Sequence, residues 1–249
     1  MIRLESVNKV FGDTRVLTDI NTNFEEGKTN LIIGQSGSGK TVLLKCIVGL
    51  FDISSGSIYY GDRNVNELTR QERKVLCQEV GMVFQGGALF DSMTVEQNVL
   101  FPLNMFSKQS REEKQKRVDF CLDRVNLEKV NKLFPAEISG GMRKRVSIAR
   151  AIALNTRYLF CDEPNSGLDP QTAIVIDNLI REITREFNIT TIINTHDMNS
   201  VMEIGDNVIF IADGHLSWHG SKEDVLHSNN KALHDFVFAS ELMKKINLT

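Results

Sequence analysis

The chain has 249 residues, 41% of them apolar and 24% charged, with a formal net charge of −3. That composition supports a large buried core and excludes a disordered chain, and the interspersed charge carries no basic footprint for nucleic acid. Four cysteines (Cys46, Cys77, Cys121, Cys161) stand far apart with no CxxC pair, each in an apolar stretch, which predicts buried free thiols in a reducing, cytoplasmic setting rather than disulfides or zinc.

Met1-Ile-Arg-Leu-Glu-Ser alternates polar and apolar residues as a strand does and has no resemblance to a secretion signal. No window reaches the roughly 18 apolar residues of a membrane span, so any work at a membrane would depend on another chain. Ile2 with Leu4, then 8–17, then 19–25 read as short antiparallel strands of a β-rich lobe. Next comes the apolar strand Thr29-Asn-Leu-Ile-Ile33, followed by Gly34-Gln-Ser-Gly-Ser-Gly-Lys40-Thr41, which fits GxxxxGK[ST] and opens onto the helical run 42–48. In that context Gly34, Ser36, Gly37 and Gly39 form a cradle whose backbone N–H groups turn onto phosphates. Lys40 reaches the β and γ oxygens, and the Thr41 hydroxyl ligates magnesium. The chain is therefore predicted to bind a nucleoside triphosphate.

Gly49 and Asp52-Ile-Ser-Ser-Gly56 mark a turn, and Ser57-Ile-Tyr-Tyr60 is another strand. From about Arg70 to Leu154 the character changes. Val80-Gly-Met-Val-Phe84 is strand-like, but 110–125 reads as a helix with Ser110 as N-cap, Glu113 at the capping-box position, and Val118, Leu122 and Val125 on one face. Tyr158-Leu-Phe-Cys-Asp162 and Thr190-Thr-Ile-Ile-Asn194 are apolar runs of the kind found in strands buried on both faces. A helix over 171–186 joins them into a βαβ unit. The run 207–219 predicts a hairpin turning at Asp213-Gly214.

Two carboxylates, Asp162 and Glu163, end the first of those strands. Beside a phosphate loop, this arrangement suits Asp162 to magnesium and Glu163 to the general base that polarises the attacking water. Alone, such a pair also describes solvated acids at a strand end. His196 ends the next apolar strand, where a γ-phosphate contact is expected.

Ile138-Ser139-Gly140-Gly141-Met142, followed by Arg-Lys-Arg-Val-Ser-Ile-Ala-Arg-Ala, resembles the LSGGQ signature of ATP-binding-cassette ATPases. The same stretch also reads as a helix capped by Ser139, and the two readings agree, because an anion at a helix start uses the same donors. The resemblance spans nearly the whole chain with its motifs in the family's order. It implies that Phe11, with Val16 close behind, stacks on adenine. It further implies that Gln85 contacts magnesium and the attacking water and relays to a membrane partner, that Ser166-Gly167-Leu168-Asp169 packs across a dimer, and that His196 is the switch histidine. Met142 and Ile138 depart from the family's Gln and Leu, while the Ser-Gly-Gly core is intact. With Phe84-Gln-Gly-Gly-Ala-Leu-Phe90-Asp-Ser-Met-Thr-Val95 and the Arg-Lys-Arg after Met142, this pattern is similar to the ATPases of Mla-type phospholipid transporters, which work with a permease and an MCE-domain protein.

The implied fold is α/β: a P-loop NTPase core of ABC-ATPase type over 1–84 and 155–227 with an N-terminal antiparallel β lobe, a helical signature subdomain over 85–154, and a helical tail over 228–249. The implied assembly is a head-to-tail pair of copies closing on two ATP molecules with Mg2+, peripheral on the cytoplasmic face of the inner membrane. Each site would take Lys40, Thr41, Gln85, Asp162, Glu163 and His196 from one chain, and Ser139, Gly141 and Asp169 from the other. Alternatives that share these residues are a soluble cassette scaffold of the iron–sulfur assembly type and the ATPase of a small-solute importer.

Overall fold

The computed structural model describes residues 1–238. The chain divides into two compact units, Met1–Leu68 with the chain from Ile192 onward, and Thr69–Thr191. The lobe predicted as three short strands is instead built on two long ones. Strands β1 (Ile2–Phe11) and β2 (Thr14–Phe24) pair antiparallel from Ile2↔Phe24 to Phe11↔Thr14. Polar residues interrupt the alternation, and their side chains close bulges rather than end strands. Ser6 and Asp19 take φ of 46° and 48°. The Ser6 N–H donates to Asn21 Oδ1 at 2.8 Å, and the Asp19 N–H donates to Asn8 Oδ1 at 3.0 Å. Strand β3 (Thr29–Ile33) is buried at every position and leads through the glycine loop into helix α1 (Lys40–Val48). Strand β4 (Ser55–Tyr60) pairs with β1 and with the short β5 (Arg63–Asn64), and the buried Tyr60 hydroxyl donates to the Ile47 carbonyl of α1 at 2.7 Å.

The second unit opens with α2 (Arg70–Glu79), β6 (Val80–Val83), α3 (Val95–Phe106) and α4 (Arg111–Arg124). All three helices start with a capping box: Thr69 with Glu72, Thr94 with Gln97, and Ser110 with Glu113. Only the third was legible in the sequence. Helix α3 went unread because Pro102 lies inside it, although Thr94-x-x-Gln97 was the available signal. On α2 only Leu76 is buried, so Cys77 is exposed, which corrects the expectation of four buried thiols. Helix α5 (Gly140–Ala151), β7 (Tyr158–Asp162) and α6 (Pro170–Glu186) complete the unit. Strands β6 and β7 are parallel, from Val80↔Tyr158 to Val83↔Cys161.

Strand β8 (Thr190–Asn194) carries the chain back to the first unit. Helix α7 (Met198–Ile204) then precedes β9 (Asn207–Ala212), which runs parallel to β3 from Asn30↔Asn207 to Ile33↔Phe210. The hairpin to β10 (His215–Gly220) turns at Asp213 and Gly214 with φ of 47° and 75°, the two left-handed residues of a type I′ turn. Among the described residues, no helix is long and apolar enough to cross a membrane.

Helices α8 (Lys222–Val225) and α9 (Lys231–Val237) follow. The helical tail expected over 228–249 carries an apolar stripe at helical spacing that begins on α9: Leu233 and Val237 are buried and the Phe236 ring lies 5.5 Å from that of Phe210 in β9. This part of the stripe packs on its own unit. Its continuation through Ala239, Leu242, Met243 and Ile246 lies outside the described residues. Leu233, Val237 and Phe238 each bury a large side chain, worth about 1.5–3 kcal/mol apiece. At roughly 2–4 °C per kcal/mol for a chain this size, ending the chain at Ser228 is expected to lower the melting temperature by about 10 °C or more. An unchanged melting temperature would mean the helix contributes nothing to its own unit.

Candidate nucleotide site

The first unit holds the phosphate loop between β3 and α1. A Cβ on Gly34 would lie 2.2 Å from the Ile211 carbonyl oxygen, so only glycine lets the loop pass β9 at this distance. Gly39, at φ 106°, is the N-cap of α1 and supplies no side-chain cap, and the first turn carries no acidic residue. A helix start of this kind presents its first N–H groups and its positive dipole end to an anion. Ser38 Oγ is buried without a hydrogen-bond partner, a polar atom whose satisfaction requires a ligand or water.

Lys40 is 6% exposed, and its ammonium donates to the carbonyls of Gly34 and Gln35 at 2.8 and 2.9 Å. The loop thus wraps the cation and holds it at the cradle. Thr41 Oγ1 accepts from Asn194 Nδ2 at 3.0 Å, a partner that sequence reasoning missed; the available signal was a buried polar residue closing the apolar run of β8. Beyond it, the Thr195 N–H donates to the Ile32 carbonyl at 3.1 Å, which ties the end of β8 to β3 and leaves His196 exposed. Phe11 is 42% exposed, with its ring edge-on to Phe51 at 5.4 Å, so it is available for stacking and is not a core residue. Val16 lies by the loop: its carbonyl oxygen would be 3.1 Å from a Cβ on Gly39.

The second unit holds the carboxylates. Asp162 ends β7 and is 8% exposed. Glu163 takes φ 47°, a left-handed conformation that costs a non-glycine residue about 1 kcal/mol or more and is concentrated at functional sites. The turn it starts is closed by the Ser166 N–H on the Glu163 carbonyl at 3.1 Å. Gln85 Nε2 donates to Ser166 Oγ at 3.1 Å, which brings the Q-loop and D-loop candidates together. Burial lowers the pKa of the Lys144 ammonium, against the opposing pull of Cys161, Asp162 and Glu163.

Ser139 caps α5 by accepting from the Met142 N–H at 3.2 Å, as the sequence predicted. A Cβ on Gly141 would sit 2.6 Å from Thr172 Cγ2, and a Cβ on Gly140 would sit 3.8 Å from Leu168 Cδ2, so the signature turn lies against the start of α6. Asp169 caps that helix, accepting from the Thr172 N–H at 3.0 Å and the Thr172 hydroxyl at 2.6 Å; these bonds, the side-chain one first, hold its carboxyl below the usual range. The turn at Ser139–Met142 and the turn at Leu168–Asp169 are therefore neighbours within one chain.

The glycine cradle, the uncapped helix start and the orphaned Ser38 hydroxyl fit a triphosphate. No cluster of three or more His, Cys, Asp or Glu suited to a metal ion exists among the described residues. Magnesium brought in with a nucleotide needs few protein ligands, since phosphates and water supply the rest. A phosphate-loop ATPase of the cassette class accounts for this donor set, and the family comparison agrees: the ABC transporter family matches residues 17–166. The chain belongs to that family, as an ATP-binding, ATP-hydrolysing subunit.

Among curated relatives, the methionine import ATP-binding protein MetN of Clostridium tetani is 37% identical over 98% of this chain and 76% of its own length. The probable ribonucleotide transport ATP-binding protein mkl of Mycobacterium leprae is 35% identical over 95% of this chain and 68% of its own length. Among solved structures, the dimeric bacterial ABC transporter cassette MJ0796 superposes with a TM-score of 0.81 at 32% identity, covering 89% of this chain and 99% of that one. The structure of cbiO1 from Clostridium perfringens, part of the ABC transporter complex cbiONQ, gives 0.85 at 30% identity, covering 98% of each chain.

Proposed function

We propose that this chain powers a phospholipid transporter by closing on ATP as a pair of copies, with each site taking Lys40, Thr41 and Glu163 from one copy and Ser139, Gly141 and Asp169 from the other. The observation that carries the catalytic part is Glu163, held in a left-handed turn at the end of a buried strand. In this reading the Lys40 ammonium neutralises the β and γ oxygens while Phe11 and Val16 face the adenine. Thr41, Gln85 and Asp162 would hold magnesium, whose charge would offset that of the phosphates. Glu163 accepts a proton from water as its oxygen bonds to the γ-phosphorus and the bond to ADP breaks; His196 steadies the γ-phosphate. The D-loop and signature turn, which adjoin within one chain, would meet the partner copy together.

The permease would dock in the open apolar groove lined by Phe84, Phe90, Phe101, Pro102 and Phe106, beside Gln85. Its exposed rings, Phe84 at 37% and Phe90 at 41%, suit a buried contact with another protein. The chain would then sit peripherally on the cytoplasmic face of the inner membrane, with MCE-domain and accessory subunits completing the transporter. The phospholipid assignment rests on the side chains of 84–95 and 138–145. A second reading, import of an amino acid, is favoured by the relatives named for methionine import.

The test reconstitutes the chain, with the permease that co-purifies with it, in phospholipid vesicles. ATP-dependent movement of labelled phospholipid supports the proposal; movement of labelled methionine without phospholipid overturns it in favour of the second reading. For the site, Ser139→Arg is expected to lower hydrolysis about 10²-fold or more by placing bulk and charge where the partner's γ-phosphate must lie. Met142→Gln should stay within a few-fold of the parent. Steady-state hydrolysis checks both, and full activity in Ser139→Arg would remove the two-copy site.

A further inference from the structure

The segment after β6 carries Gln85, and two cations of a single helix hold its backbone. Lys144 Nζ donates to the Phe84 carbonyl at 3.5 Å and also to the Gln85 carbonyl. Further along α5, Arg150 donates Nη2 to the Gly87 carbonyl at 2.9 Å and Nη1 to the Ala88 carbonyl at 2.8 Å. The segment needs such holding: Gly87 and Ala88 take left-handed φ of 77° and 47°, and the Gly87 N–H closes the turn on the Phe84 carbonyl at 2.8 Å. Lys144 is 6% exposed, and a lysine buried this far is retained where its charge and donors are used. Helix α5 is also the helix that Ser139 caps, so the signature end and the Gln85 segment are fastened to one rigid element.

We propose that Lys144 and Arg150 are positioning residues that fasten the 84–88 backbone to the signature helix and thereby set the Gln85 side chain for hydrolysis. The catalytic half of this inference rests on the reading of Gln85 given above; the fastening does not. A different route is available to Lys144, since its charge also faces Asp162 and Glu163, and the experiment separates the two.

The full chain is compared with Lys144→Met, Lys144→Arg, Gln85→Ala and the double variant Lys144→Met/Gln85→Ala. Lys144→Met is expected to raise amide hydrogen exchange over 84–90 by about tenfold or more. It should lower kcat roughly tenfold or more, as small displacements of a positioned group do, with KM for ATP within about twofold. Lys144→Arg, which keeps the donors, should return both readouts to within about threefold of the parent, and in the Gln85→Ala background Lys144→Met should add less than about threefold. Arg150→Gln is the second variant should Lys144→Met fail to fold, with the same exchange and kcat pattern expected. Unchanged exchange in the folded variants overturns the fastening. Loosened exchange with parental kcat, or a full multiplicative loss in the double variant, overturns the positioning role. Parental turnover in Gln85→Ala would instead overturn the role of Gln85, and the positioning of it for hydrolysis would fall with it.

Discussion

Glu163→Gln is expected to lower ATP turnover by about 10²–10⁴-fold, the usual contribution of a general base, while ATP binding stays within a few-fold of the parent. The amide keeps the size and the left-handed backbone of Glu163 but replaces the basic carboxylate with a neutral group that cannot take the proton from water. Nucleotide binding and steady-state hydrolysis measured side by side on the purified variant decide it. Substantial turnover would take the base role from Glu163 and leave the attack on phosphorus without a proton acceptor at this position.

Lys40→Ala should act on the other quantity. The buried ammonium is held by two loop carbonyls at the phosphate cradle, and its removal leaves both carbonyls and the incoming phosphate charge without their donor. Charge-assisted hydrogen bonds of this kind are worth about 1.5–3 kcal/mol each. Losing one to each of two phosphate groups weakens ATP binding by roughly a hundredfold or more, at 1.4 kcal/mol per tenfold. Direct titration with ATP checks this, and parental affinity in Lys40→Ala would mean that the loop amides alone hold the triphosphate.

The local setting of the candidate site was legible wherever it is built from neighbours in the chain. The phosphate loop, the Asp162–Glu163 pair and the Ser139 cap each need contiguous residues of fixed type, so their spacing survives in the sequence, and the structure gives each the expected strand-to-loop or loop-to-helix setting. What depends on distant partners was not legible. No pattern of residue types marks Glu163 as left-handed, joins Asn194 to Thr41, or sends Lys144 to the carbonyls of the Gln85 segment. Two fold features were hidden for local reasons: Pro102 interrupts a capped helix, and the bulges at Ser6 and Asp19, closed by Asn21 and Asn8, read as breaks between strands. Cys77 was misjudged because Leu76 and Val75 make its surroundings apolar in sequence, while only Leu76 faces inward.

If one active site is built from two copies of the chain, two inactive variants should complement each other when mixed. Lys40→Ala damages the site through one copy and Ser139→Arg through the other, so a mixed pair gathers both lesions in one site and leaves its second site intact. With random pairing, half of the pairs are mixed and each has one sound site, so the mixture should recover about a quarter of parental hydrolysis where each variant alone has almost none. A mixture as inactive as its components, across the concentration range in which the parent is active, would contradict the two-copy site.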